Sequence, residues 1–183
     1  MVLGDIWGLQ FDRFLTEDDF NADGSLKAGL PDQTKVFPAG YQFAPGDVLY
    51  KDLDNNGEIV KQTNTNDKGD LSVIGNALPR LQFGLNLDAA WKGFDISMFF
   101  QGVAKRKLWA AGNQVLPGFT TGEPFYKGAE DYWTPENTDA FYPRPMDYKQ
   151  SASGNYSVND RYLLNMASVS YTHLRAHETK ANL

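Results

Sequence analysis

The 183-residue chain contains no cysteine, and its two histidines stand close together at positions 173 and 177. Without cysteine there is no disulfide framework, no thiolate metal site and no cysteine nucleophile. Positive charge is scarce: 17 Lys and Arg stand against 23 Asp and Glu, a net of −6, and the longest basic cluster is Lys105-Arg106-Lys107. A nucleic-acid partner is therefore not expected, because no basic stripe exists to displace phosphate counterions. No apolar run approaches the roughly 18–20 residues of a transmembrane helix. The opening Met1-Val2-Leu3-Gly4-Asp5 shows neither the charged region nor the apolar region of a signal peptide. Strands of a transmembrane β-barrel pass both tests, since they alternate instead of running apolar, and a piece cut from a barrel would carry no leader.

Aromatic residues are abundant, at 12 Phe, 9 Tyr and 4 Trp. They favour strands, interfaces or sugar-binding surfaces over helical bundles. The clearest periodicity lies in residues 80–103. Leu81, Phe83, Leu85, Leu87, Ala89 and Trp91 alternate with Gln82, Gly84, Asn86, Asp88 and Ala90. After Lys92-Gly93, Phe94, Ile96, Met98 and Phe100 alternate with Asp95, Ser97, Phe99 and Gln101. This predicts two strands of about ten residues joined by a tight turn, with one face apolar throughout.

Two architectures accommodate such a hairpin. One is a soluble β-sandwich with the apolar face on its core. The other is a membrane barrel, apolar to lipid and polar to the lumen, in which about 9–11 residues per strand span the bilayer and Trp91 sits in the interfacial aromatic girdle. The connections favour the barrel: the turn at 92–93 is minimal, whereas the flanking segments are long, as the short periplasmic turns and long extracellular loops of outer-membrane barrels require. The expected fold class is all-β, a fragment of a large antiparallel transmembrane β-barrel with long extracellular loops. Residues 1–167 form the barrel portion, with strands at about 2–14, 80–91, 94–105 and 161–167 and loops at 15–79 and 106–160. The loops are turn-rich, as Asn21-Ala22-Asp23-Gly24, Pro31, Pro38 and Pro45-Gly46 show.

The second loop carries Trp109, Phe119, Phe125, Tyr126, Tyr132, Trp133, Phe141 and Tyr142, with Glu123, Glu130, Asp131, Glu136 and Asp139. These aromatics either pack the loop or present ring faces to a ligand; the candidate ligand-binding residues are Trp109, Phe119, Tyr126, Tyr132 and Trp133. In the first loop, Asp52-x-Asp54-x-Asn56-Gly57 repeats the opening of an EF-hand calcium loop, with oxygen ligands at alternate positions and a glycine for the sharp turn. The closing Glu is absent, its position being Thr63, and Asp67 or Asp70 is placed to substitute. The candidate calcium ligands are thus Asp52, Asp54, Asn56, Glu58, Asp67 and Asp70. The alternative is an Asx-rich loop held by side chain–backbone hydrogen bonds. Carboxylate pairs are plentiful but lie beside Gly, Asn and Pro, and no nucleophile elbow, P-loop or dinucleotide fingerprint is present, so no enzymatic activity is expected.

An ordered series of motifs resembles the SusC/RagA-type TonB-dependent transporters of Bacteroidetes outer membranes. It comprises Gly4-Asp5-Ile6-Trp7-Gly8, the block from Pro45-Gly46-Asp47 through Asp52-Leu53-Asp54-Asn55-Asn56-Gly57 to Ile59, and Val73-Ile74-Gly75-Asn76. Pro79-Arg80-Leu81-Gln82-Phe83-Gly84, the hairpin around Trp91-Lys92-Gly93-Phe94, Trp133-Thr134-Pro135-Glu136-Asn137 and Tyr142-Pro143-Arg144 follow in order. The resemblance implies a plugged barrel of about 22 strands. It implies import of glycans or peptides, a SusD-type surface lipoprotein as partner, an outer-membrane lipid environment, and energy from a TonB complex reached through a plug region this chain lacks. The runner-up reading is a secreted soluble β-module that binds carbohydrate or calcium; a hydrolase fragment is the third.

Residues 168–183 are expected to be a non-native tail. The string Val169-Ser170-Tyr171-Thr172-His173-Leu174-Arg175-Ala176-His177-Glu178-Thr179 resembles a translation of the adaptor used in transposon-based sequencing libraries. On that reading His173 and His177, spaced like two metal ligands on one helical face, are discounted.

Overall fold

The computed structural model describes residues 2–61, 66–119, 126–146 and 154–178, the stretch 171–178 as strand backbone. Thr63, Glu123 and Phe125 lie outside the described residues. The strands are β1 (Asp5–Gly8), β2 (Phe11–Phe14), β3 (Val48–Tyr50), β4 (Ser72–Asn76), β5 (Leu81–Trp91), β6 (Phe94–Ala104), β7 (Lys107–Trp109), β8 (Leu163–Asn165) and β9 (Ser168–Glu178). They form four small sheets, β1-β4, β2-β3, β5-β6-β9 and β7-β8. The only helical turns among the described residues are 3-10, at Glu17–Asp19 and Lys127–Glu130. The class is all-β, and the β2-β3, β5-β6 and β6-β9 pairs are antiparallel. The chain divides into two compact units: one holds Gly75–Leu108 and the chain ends, the other Ile6–Ile74 and Trp109–Leu163.

The first unit is built on the hairpin. Strands β5 and β6 pair without irregularity from Leu81↔Ala104 to Trp91↔Phe94. Residues opposite each other in an antiparallel pair share a face, so Leu81, Phe83, Leu85, Leu87, Ala89 and Trp91 lie with Phe94, Ile96, Met98, Phe100, Gly102 and Ala104. The turn is Lys92-Gly93, both with positive φ, 48° and 87°, as a two-residue turn matching strand twist requires. Lys92 Nζ lies 4.9 Å from the centroid of the Trp91 ring. On the apolar face the Phe83 ring covers Gly102, where a Cβ would come within 2.3 Å of Phe83 Cζ; on the other, Phe99 covers Gly84. Rings laid over glycines in this way restore the packing a glycine forfeits in a strand.

Among the described residues, much of this apolar face is exposed. Leu81 is 52%, Phe83 43%, Leu85 50%, Leu87 43%, Trp91 70% and Phe94 54% exposed. Each strand has 11 residues, which extend roughly 37 Å and, tilted by about 45°, rise about 26 Å, matching the apolar band of about 25 Å of an outer-membrane barrel.

Strand β9 pairs with β6 from Val103↔Ser168 to Phe94↔Glu178, with a register shift that leaves Thr172 as an extra residue. The sequence alternation changes phase at the same place. Val169 and Tyr171 stand opposite Gly102 and Phe100, and beyond the shift Leu174 and Ala176 stand opposite Met98 and Ile96. A one-residue bulge is what keeps both halves of such a strand in phase with its neighbour. Strand structure expected over 161–167 is confined to β8, and pairing resumes at Ser168.

The second unit consists of the two long segments packed on each other. Its core is Leu9, Phe14, Val36, Phe37, Val48, Tyr50, Ile59, Trp133 and Ala140, with Phe11, Tyr41, Phe43 and Leu71 against it. A second cluster gathers Leu116, Tyr156 and Tyr162, with Trp109, Val115, Phe119 and Tyr142 around it. With so little regular ladder, side chains complete the backbone pairing. The fully buried Gln33 extends the edge of β3: its Nε2 donates to Val48 O at 2.8 Å and its Oε1 accepts Tyr50 N–H at 3.3 Å. Buried Asn159 accepts the N–H groups of Arg161 and Tyr162 and donates to Ser157 O. Both spare buried polar backbone the cost of going unpaired.

Candidate functional site

The second unit brings together motifs that lie far apart in sequence. Ala44-Pro45-Gly46-Asp47 is a tight turn closed by Asp47 N–H to Ala44 O at 3.2 Å. Proline presets the first central residue and Gly46, at φ +91°, takes the left-handed conformation of the second. Gly46 also admits Trp133: a Cβ there would lie 2.5 Å from Trp133 Cε3. Arg144 N–H donates to Gly46 O at 3.0 Å, and Trp133 N–H to Tyr142 O at 2.9 Å. The turn at 44–47, the Trp133-Thr134-Pro135 stretch and the Tyr142-Pro143-Arg144 stretch thus form one packed knot.

At the centre of the knot is Asp47, fully buried. Its ion pair with Arg144 has Nε–Oδ1 at 2.8 Å and Nη2–Oδ2 at 3.2 Å. The Tyr41 hydroxyl donates to Oδ1 at 2.9 Å, Asn155 Nδ2 to Oδ1 at 3.0 Å, and Ala44 N–H to Oδ2 at 2.9 Å. Burial, and then the negative charge of Asp47, push the Tyr41 phenol well above its ordinary pKa.

Beside the knot opens a cleft of about 370 Å³ lined by Pro117, Tyr126, Lys127, Ala129, Glu130, Tyr132, Tyr142, Pro143, Pro145 and Tyr156. Its floor is stiff. The Tyr142 ring stacks on buried Tyr162 at 6.1 Å and 12°, and Tyr156 meets Tyr162 edge-on at 5.4 Å. Its rim is open, with Tyr126 45% and Tyr132 40% exposed. Burial raises the Tyr142 and Tyr156 phenols above their ordinary pKa, so both stay protonated into alkaline solution and are able to donate as well as accept. Lys127 and Glu130 balance in charge. An aromatic, mostly apolar cleft with a few convergent polar groups is the usual form of a binding site.

The five candidate ligand-binding aromatics divide between roles. Tyr126 and Tyr132 line the cleft. Trp133 is 7% exposed and packs in the core, its Nε1 without a hydrogen-bond partner among the described residues. Trp109 and Phe119 are partly buried against the second cluster. Tyr142 and Tyr156 also line the cleft, and no local pattern marks Tyr156; the proline on each side of Arg144 is the available sequence signal for this wall.

Of the six candidate calcium ligands, Asp52, Asp54 and Asp70 converge, with one carboxylate oxygen of each within 4.8 Å of the others. Each is also engaged by the backbone. Gly57 N–H donates to Asp52 at 2.7 Å, Asn56 N–H to Asp54 at 3.1 Å, and Leu53 and Val60 N–H to buried Asp70 at 2.8 and 2.7 Å. Asn56 accepts Glu58 N–H, Glu58 pairs with Lys35, and Asp67 accepts Gly69 N–H.

No family model matches the chain. The chain is 30% identical over 125 residues to TonB-dependent receptor P3 of Formosa agariphila, an alignment covering 65% of this chain and 11% of that protein. It is 36% identical over 95 residues to TonB-dependent receptor P26 of the same organism, covering 50% of this chain and 9% of that protein. The chain resembles TonB-dependent receptors. It spans about a tenth of the length of the curated relatives it matches.

Proposed function

We propose that the chain is a segment of the barrel and extracellular loops of a SusC/RagA-type TonB-dependent outer-membrane transporter. The observation that carries this reading is the β5-β6 hairpin, one face apolar over 11 residues of both strands and, among the described residues, largely exposed. In water such a face is a liability; in lipid it is a requirement. The similarity to two receptors supports it. The transporter imports glycans or peptides, with a SusD-type lipoprotein at the surface and a TonB complex engaging a plug outside this chain. The tyrosine cleft is the place in this segment where substrate is contacted. No catalytic step is assigned to it. Detergent extraction of outer membranes, purification through a tag on the full-length protein, and mass spectrometry test the assignment. Recovery from the outer membrane with a lipoprotein supports it; recovery as a soluble monomer refutes it. Substitution of Tyr126 and Tyr132 by alanine slows uptake of a glycan or peptide whose import is lost on deleting the gene, whereas unchanged uptake removes the cleft from the substrate path.

Calcium is a second proposal, for the Asp52–Asp54–Asp70 cluster. Three carboxylate oxygens converging beside a left-handed glycine, Gly57 at φ +85°, suit a hard cation that takes 6–8 oxygen ligands. Sensitised terbium luminescence, displaced by calcium in the parent protein and lost in Asp54→Asn, tests it; luminescence that survives Asp54→Asn argues for a loop held by hydrogen bonds alone. Residues 169–179 are read as adaptor-derived; they pair along the edge of β6 that β5 leaves free. Long-read sequencing of the source locus decides that point.

A further inference from the structure

Asp47 stands behind two walls of the tyrosine cleft at once. Arg144, its ion-pair partner, lies between Pro143 and Pro145, and Asn155, which donates to the same carboxylate, precedes Tyr156; Pro143, Pro145 and Tyr156 all line the cleft. Asp47 itself is not among the lining residues. Asn155 is tied further into the unit, its Oδ1 accepting Val48 N–H at 2.8 Å.

We infer that Asp47 is a positioning residue for the cleft: it touches no ligand, and it sets the separation of the Tyr142–Pro145 wall from the Tyr156 wall. The inference rests on the reading of the cleft as a substrate surface. The chemistry requires a carboxylate. Donors arrive on both oxygens, from Arg144 and Ala44 on one and from Arg144, Asn155 and Tyr41 on the other. An amide at this position turns an NH₂ toward one of those sets, donor against donor, and leaves the Arg144 guanidinium, only 25% exposed, without its counter-charge. Arg144 then swings toward water and takes Pro143 and Pro145 with it. Replacing both partners by neutral groups removes the unpaired charge, so the second change repairs the first.

The test uses the full-length protein in detergent, with 3-fluorotyrosine placed at Tyr142 or at Tyr156 and 4-fluorophenylalanine at Phe94 as a remote control. In Asp47→Asn both tyrosine resonances shift or split by more than a linewidth while Phe94 is unmoved, and Asp47→Asn/Arg144→Gln returns both toward their original positions. In cells, uptake of a glycan or peptide whose import is lost on deleting the gene shows an apparent KM raised about tenfold in Asp47→Asn at unchanged maximal rate, recovered in the double variant. Unmoved tyrosine resonances overturn the inference. So does a shift the double variant leaves in place, or one shared by Phe94, since each makes Asp47 a residue of general stability. If the resonances behave as expected but neither Asp47→Asn nor the Tyr126 and Tyr132 variants change uptake, the substrate reading of the cleft fails while the geometric role of Asp47 stands.

Discussion

Arginine in place of Leu87 measures where the apolar face of the hairpin lives. Leu87 is one residue from Asn86, the midpoint of the 11-residue strand β5, and Leu81 is at its end. At roughly 3.4 Å per residue and a tilt of about 45°, each residue changes depth by about 2.4 Å. On the lipid assignment Leu87 would lie within about 3 Å of the bilayer midplane and Leu81 about 12 Å away, at the edge of the apolar band. Arginine costs about 2–4 kcal/mol at the midplane and about 0–1 kcal/mol near an interface. The full-length protein is folded into phosphatidylcholine vesicles, titrated with urea, and scored by the altered gel mobility of the folded form. Leu87→Arg is expected to lose about 2–4 kcal/mol and Leu81→Arg less than about 1 kcal/mol. Gln101→Arg, on the opposite face of β6, is expected to change little. If the face were open to water, both leucine changes would stay within about 0.5 kcal/mol. If it lay on the core of a soluble sandwich, Leu81→Arg would be as damaging as Leu87→Arg. Equal costs at the two positions refute the lipid assignment.

Other consequences follow from the second unit. Gln33→Leu leaves Val48 O and Tyr50 N–H buried without their partner. It is expected to cost about 1–3 kcal/mol, read as faster amide exchange along β3 with β5 and β6 unaffected. Gly46→Ala combines a left-handed φ with a Cβ 2.5 Å from Trp133. It should lose about 2–5 kcal/mol, whereas Gly24→Ala, at φ +82° with open space around it, should lose about 1–2 kcal/mol; urea midpoints compare them. The hydrogen bond from Arg13 and the other interactions at Asp19 lower its pKa from 3.8 to about 2. A depressed acid contributes stability above its unfolded pKa and loses it as pH falls through the folded one. About 1–2 kcal/mol, allowing for solvent screening at Arg13, should therefore fade between pH 4 and pH 2, and Asp19→Asn should flatten that part of the pH–stability curve.

The hairpin is plain in the sequence because period-two alternation is a local property, and the Lys92-Gly93 turn fixes its register. The loops are less legible for a physical reason. Their cores are assembled from single residues of distant segments, such as Leu9, Val36, Tyr50 and Trp133, and no periodicity links them. The pairing of Asp47 with Arg144 across 97 positions and the use of Gln33 as a substitute strand are likewise invisible to local pattern. The carboxylates at 52 and 54 announce themselves by spacing, whereas the arrival of Asp70 depends on the path of the chain between. Aromatic content marks Tyr126, Tyr132 and Trp133 alike as ligand-binding candidates, of which the first two are exposed and the third is buried. It could not separate the two tyrosines from Trp133, because burial depends on what packs above a ring: here the glycine at 46 opens the space that Trp133 fills.

A nitroxide scan reads whether the hairpin crosses the outer membrane with one face in lipid. Single labels at each position from Gln82 to Ala90 of the full-length protein in vesicles are exposed to oxygen, which partitions into lipid, and to a water-soluble nickel chelate. Strict alternation is expected. Oxygen relaxes labels at Phe83, Leu85, Leu87 and Ala89, and the chelate relaxes those at Gly84, Asn86 and Asp88. Labels relaxed by the chelate on both faces, or by neither reagent along the apolar one, would contradict it.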